Sequence, residues 1–108
     1  MAFTITVLFP NEADATYNTD YYVSHHMPLI KERWAKYGVQ NWFVTNFGPG
    51  PDGAQPLYTF GSVVVWESKE GIEKAFASSE VAEIMSDVPN FSNKQPVFLF
   101  GSQVDTPN

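Results

Sequence analysis

The stretch Asp20-Tyr21-Tyr22-Val23-Ser24-His25-His26-Met27-Pro28-Leu29 concentrates the side chains of this sequence that could do chemistry. Histidine titrates near neutrality, so it can take up and return a proton under physiological conditions, and a phenol can orient the ring or hold an oxygen of a substrate. On a helix Tyr22 and His26 are four residues apart and share a face. His25 and His26 are turned roughly 100° from one another and cannot both point inward. The neighbours Tyr22, Val23, Leu29 and Ile30 favour His26 as the inward ring and leave His25 nearer the surface beside Tyr21. The spacing nominates His26 for proton transfer, with Tyr22 as its partner. The competing reading is a half-buried histidine that only satisfies a hydrogen bond in the core.

Other chemistries lack the residues they need. The sequence has no cysteine, so a thiol nucleophile, a disulfide and a thiolate metal site are all excluded. The adjacent histidines diverge and no third ligand is spaced to join them, so no metal site is expected. Gly48-Pro49-Gly50-Pro51-Asp52-Gly53 has neither the Lys-Ser/Thr ending nor the strand-to-helix setting of a phosphate cradle, and reads as a hairpin loop. Ser78 and Ser79 sit in no nucleophile elbow. Trp34, Trp42 and Trp66 read first as core or interface residues.

The elements that must carry the histidine follow from periodicity. Phe3, Ile5, Val7 and Phe9 alternate with Thr4, Thr6 and Leu8, which predicts a first strand ending at Pro10-Asn11. Asn18-Thr19-Asp20 offers caps for a helix that runs to Gly38, with Pro28 inside it predicting a kink or restart near Met27. Val39 to Phe47 and Leu57 to Glu67 read as an antiparallel hairpin across the glycine-proline loop. Ser68 caps a second helix bearing Ile72, Ala75 and Phe76, with a shorter helical piece through Ile84 and Met85 and a stop at Asp87-Val88-Pro89-Asn90. Val97 to Phe100 is the last strand, and Asp105 to Asn108 a frayed tail. The order β-α-β-β-α-β predicts an α+β, ferredoxin-like fold, a four-stranded antiparallel sheet with the helices on one face. Strands three and four carry apolar residues on both parities (Val63 and Val65 beside Val64 and Trp66), so the helix-free face is expected to be covered too, by a second copy.

The 108 residues are 44% hydrophobic and 16% aromatic, enough for one core and one domain, residues 1–108. Twelve acidic against six basic side chains give a net charge of −6, which argues against nucleic acid and anionic membranes as partners. No segment reads as a leader or a membrane span, so a soluble cytoplasmic protein is expected.

Three motifs occur together and in order: Tyr22 with His26-Met27-Pro28-Leu29, Val65-Trp66-Glu67-Ser68 entering the second helix, and Asp87-Val88-Pro89-Asn90-Phe91-Ser92 before the last strand. In these the chain resembles the EthD family of the dimeric α/β-barrel superfamily, whose members carry an aromatic followed by His-x-Pro-Leu and an acidic-x-x-Asn-Phe-Thr pattern. It departs from them in its doubled His25-His26 and at Ser92-Asn93-Lys94, where many members have Thr-Asp. The resemblance implies a homodimer with an apolar pocket between sheet and helices, lined by the helix-one histidine. Related barrels include cofactor-free isomerases, decarboxylases, dehydratases and monooxygenases acting on aromatic, lactone or polyketide-like molecules, while other members have no established activity. The expectation is an enzyme without metal or organic cofactor, possessed of His26 and Tyr22 as catalytic pair and Leu29, Trp66 and Phe91 as ligand-contacting walls. The alternative is a non-catalytic carrier of a hydrophobic metabolite, or an accessory subunit of a degradation pathway.

Overall fold

The computed structural model describes residues 2–105, so most of the expected tail, residues 106–108, lies outside the described residues. Four strands, β1 (Phe3–Pro10), β2 (Val39–Asn46), β3 (Tyr58–Trp66) and β4 (Val97–Ser102), form one sheet in the order β2-β3-β1-β4. Every neighbouring pair is antiparallel. Helical segments fall between β1 and β2 and between β3 and β4, as the ferredoxin-like order requires.

The first helical segment is not uniform. It opens as α1 (Thr19–Tyr21), where the Asn18 side chain accepts a hydrogen bond from the Tyr21 backbone N–H at 3.0 Å. It widens into a π turn over Tyr22–His26 and continues as α2 (Met27–Trp34). The cause is Pro28. A proline in an α-helix has no N–H to donate and its ring collides with the carbonyl four residues back. In the wider turn the Met27 N–H bonds to the Tyr22 carbonyl instead, so the chain passes Pro28 without breaking. A 3₁₀ turn (Ala35–Tyr37) and Gly38, at φ 104°, then redirect it into β2.

After β3, Ser68 accepts from the Gly71 N–H at 3.1 Å and starts α3 (Lys69–Phe76); α4 (Glu80–Ser86) follows, and a 3₁₀ turn (Val88–Asn90) leads towards β4. Gly71 is where α3 meets the end of the first helical segment. A Cβ there would lie 1.9 Å from the Tyr37 carbonyl oxygen, so only glycine allows that approach.

Alternation sorts the sheet into two faces. Ile5, Val7 and Phe9 of β1 and Phe60, Val64 and Trp66 of β3 are buried against the helices. Phe9 stacks on Phe60 at 4.4 Å and meets Tyr17, Tyr22 and Phe91 edge-on, so one ring from β1 ties together strand, helix and the loop before β4. The opposite face is open: Phe43 and Leu99 are each more than half exposed. On β4 even Phe98 and Phe100 are partly bare, although their register opposite Val7 and Ile5 turns them to the helix side. The helices cover this edge strand only in part, Phe76 of α3 meeting Phe100 edge-on at 5.7 Å. Among the described residues no helix is long and apolar enough to cross a membrane.

Candidate functional site

The π turn sets two aromatic residues over two histidines. Tyr21 lies against His25 with ring centroids 4.8 Å apart, and Tyr22 stacks on His26 at 5.3 Å with the planes 21° apart. In the first pair His25 is exposed and Tyr21 half-buried. The second faces the sheet, with Tyr22 and His26 at 2% and 5% exposure. The buried ring is His26, on the face its spacing assigned to it.

Burial would leave both nitrogens of His26 in need of partners, and the chain supplies one of them from 61 residues away. The loop after α4 returns to the start of the first helical segment, held by the Asn18 N–H donating to the Phe91 carbonyl at 2.9 Å. This brings Asp87, at the C-terminal end of α4, beneath the imidazole. Asp87 Oδ2 lies 2.9 Å from His26 Nδ1. Its other oxygen accepts from the Tyr21 hydroxyl at 2.5 Å and from Asn90 Nδ2 at 3.0 Å. A carboxylate can only accept, so Nδ1 carries the hydrogen and the lone pair of the neutral ring sits on Nε2. Among the described residues Nε2 has no hydrogen-bond partner, and it is not one of the fully enclosed unpartnered atoms, which are Trp34 Nε1 and Trp66 Nε1.

Electrostatics favour the same state. Burial pushes the His26 pKa below its ordinary 6.5, against the opposing pull of the hydrogen bond and charge of Asp87. For Asp87, burial raises the pKa, but the donors Tyr21, Asn90 and His26 together outweigh it and hold the carboxyl below its usual value. The site at neutral pH is a carboxylate beside an uncharged imidazole.

His26 opens onto a cavity of about 50 Å³ between the sheet and α4. Its walls are almost wholly apolar: Ile5, Val7 and Phe9 on the sheet side, Ile84 and Met85 from α4, and Phe98 at the mouth. Tyr22, Trp66 and Phe91 also line it, and Phe91 packs on the imidazole at 4.6 Å. Leu29 does not. It is half-buried and packs on the edge of the core, away from the cavity lining, because the turn at Met27 carries it round from the face shared by Tyr22 and His26. Tyr22 is placed at the cavity but its hydroxyl goes to Ser62 Oγ, 2.7 Å away on β3, and its contact with His26 is ring on ring. Burial pushes its pKa up to about 12, so it stays a phenol.

Sequence reasoning missed Asp87, Tyr21, Asn90 and Ser62 as members of this site. A cavity of this size has room only for a molecule about as small as water, whereas an apolar cavity of roughly 150 Å³ takes a benzene ring. Larger grooves of about 590 and 480 Å³ flank it, sharing Phe76 with one side and Met85 and Phe98 with the other. Those shared side chains stand between the cavity and the grooves. The helix behind it, α4, is tied to α2 by the ion pair of Arg33 with Glu83 at 2.7 Å, and to the 3₁₀ turn after α2 by that of Lys36 with Glu80. Such pairs are screened by water and salt, and hold the wall only loosely. Among the described residues no three of His, Cys, Asp and Glu stand together as a metal-ligand set.

The chain matches no protein-family model and no curated protein. It is similar to solved structures along nearly its whole length. An EthD-like protein from Ralstonia eutropha JMP134 superposes with a TM-score of 0.84 at 24% identity, over 94% of this chain and 90% of that one. SnoaB, a cofactor-independent oxygenase from Streptomyces nogalater, gives 0.66 at 11% identity over 97% and 95%. A dimeric ferredoxin-like protein of unknown function from Thermobifida fusca YX gives 0.59 at 13% over 95% and 92%. At these identities the likeness is one of fold, and the fold is that of the EthD-like proteins.

The pH dependence of stability tests the charge state of the site. His26 is neutral in the folded chain and has a folded pKa below 6.5, so as pH falls the unfolded chain takes up its proton first. Stability is therefore fully present above about pH 6.5 and declines as the pH drops towards the folded value, by at most about 1.4 kcal/mol per pH unit for this one group. Asp87, also lowered, adds a second loss at more acid pH. Urea unfolding of wild type and His26→Gln across this range should show the first decline reduced in the variant. Identical profiles would contradict the assignment.

Proposed function

We propose that this chain is a small-molecule enzyme in which His26 acts as a general base on an apolar substrate bound between the sheet and α4. The observation that supports it most is the Asp87 bond to Nδ1, which leaves the lone pair on Nε2 of a ring that lines an apolar cavity. A base is useful when its proton affinity suits the working pH and its orientation is fixed before the substrate arrives. Asp87 serves the second need and burial the first. Tyr22 stacks on the ring and restrains it, while Trp66 and Phe91 serve as walls. Leu29 would act only through packing behind them.

An oily site with one base and no strong acid suits substrates that are themselves apolar and carry one acidic hydrogen: aromatic ketones, lactones and polyketide-like rings. Isomerisation, decarboxylation and dehydration can begin from such a proton transfer with no organic cofactor. Monooxygenation can as well, with dioxygen as co-substrate, and SnoaB, of the same fold, is a cofactor-independent oxygenase.

The working unit we infer is a homodimer. The exposed apolar side chains of the helix-free face, Phe43 and Leu99 among them, would be covered by the same face of a second copy, and a similar structure is described as dimeric. Burial of such a face is the main source of free energy for association. Light scattering on the eluted protein should give twice 12.1 kDa; a mass of 12.1 kDa at micromolar concentration would contradict the pairing.

Proton abstraction can be measured before any product is known, as exchange of hydrogen for deuterium at the carbon next to the carbonyl in a panel of aryl ketones and lactones in D₂O. Exchange catalysed by the wild type should fall by about 10²- to 10⁴-fold in His26→Gln and stay near wild type in His25→Gln, whose ring lies outside the cavity. Undiminished exchange in a folded His26→Gln would remove His26 from the mechanism.

A further inference from the structure

The inward row of β3 reads Phe60, Ser62, Val64, Trp66, with a single hydroxyl among large apolar side chains. Ser62 is 3% exposed, lines the cavity, and stands 2.7 Å from the hydroxyl of Tyr22. Two hydroxyls carry two hydrogens, and the bond between them uses one. Among the described residues neither oxygen has any other hydrogen-bond partner, so the second hydrogen is left without an acceptor in a place water reaches poorly. A phenol is the better donor and an alcohol the better acceptor. Tyr22 therefore donates to Ser62, and the bond it makes polarises the remaining Ser62 O–H.

We propose that Ser62, backed by Tyr22, donates this hydrogen bond to an oxygen of the substrate, and that the site thereby selects compounds in which that oxygen becomes anionic as the proton leaves: enolisable ketones and lactones, and phenols. This rests on the reading of His26 as the base. Nε2 takes the proton from the α-carbon. The C–H electron pair becomes the carbon–carbon double bond of an enolate, and the carbonyl π pair moves onto oxygen, where the Ser62 hydroxyl meets it. For a phenol the proton comes directly from oxygen. Nothing is oxidised or reduced in the step, and the charge lost by the substrate proton appears on His26. In an apolar cavity one fixed donor is worth far more than in water, because no solvent dipoles compete with it. Ser62 is thus a candidate catalytic residue, and Tyr22 a positioning residue that acts through it.

The probe for this is 4-nitrophenol, whose phenolate form absorbs visible light. Titrated into the protein at a pH below its solution pKa, it should bind and develop the phenolate band. Ser62→Ala should lower the ionised-to-neutral ratio of the bound probe about ten- to a hundredfold, as expected for loss of a hydrogen bond to a charged oxygen, and Ser62→Thr, which keeps a hydroxyl, should restore most of it. A loss of folding would affect both variants, so rescue by threonine separates chemistry from structure. His26→Gln should abolish the band. If His26→Gln abolishes it and Ser62→Ala leaves the ratio unchanged, the hydroxyl assignment is overturned and the base stands. If His26→Gln leaves the band intact, the base itself is misassigned. A wild type that never ionises the probe overturns both.

Discussion

The hydrogen bond from His26 Nδ1 to the Asp87 carboxylate ties the two halves of this site together, because its partners come from distant parts of the chain. One sits on the widened turn between α1 and α2, the other at the end of α4, 61 residues further along. Without the carboxylate a buried imidazole would have a donor with no acceptor, a costly state away from water. With it, the ring has a defined tautomer, and its second nitrogen is left without a partner among the described residues. The same carboxylate also collects Tyr21 and Asn90, so the anion is satisfied on the side away from the cavity. Asp87, Tyr21 and Asn90 do not line the cavity, whose walls stay almost wholly apolar.

The surrounding packing explains why this bond can hold. Phe91 follows the 3₁₀ turn that Asp87 precedes, and it is wedged between Phe9, Tyr22 and His26. Pulling Asp87 away would drag a fully buried aromatic out of the core, a loss of roughly 1.5–3 kcal/mol for burial alone. The outer wall is different in kind. Met85 and Phe98 are more than a third exposed, and the charges that tie α4 to α2 lie in solvent. The packing is close around His26 and more open on the side of Met85 and Phe98.

Much of the fold was legible from local rules. The alternation of β1, the caps Asn18 and Ser68, and Gly38 at the end of the first helical segment stand where the spacing put them, since each depends on residues within a few positions. Pro28 signalled a disturbance, but propensity alone does not say whether a helix bends, restarts or widens, and the π turn is a tertiary outcome that keeps Tyr22 over His26. Leu29 belongs to the same motif as His26, yet it packs half-buried on the edge of the core and does not line the cavity. Asp87 reads from sequence as the end of a helix and the first residue of the third motif, but nothing local pairs it with His26 across 61 residues. Ser62 did leave a signal, as the lone polar residue on the inward parity of β3, hidden because that strand is apolar on both parities.

The central claim is that His26 is held neutral, with its hydrogen on Nδ1 and its lone pair on Nε2, by Asp87. Nitrogen NMR of protein labelled at histidine reports this directly, since protonated and unprotonated ring nitrogens resonate far apart. At neutral pH the wild type should show Nδ1–H and a bare Nε2 for His26, and Asp87→Asn should disturb that assignment while Asp105→Asn does not. A His26 ring carrying its hydrogen on Nε2, or indifferent to Asp87, would contradict the account.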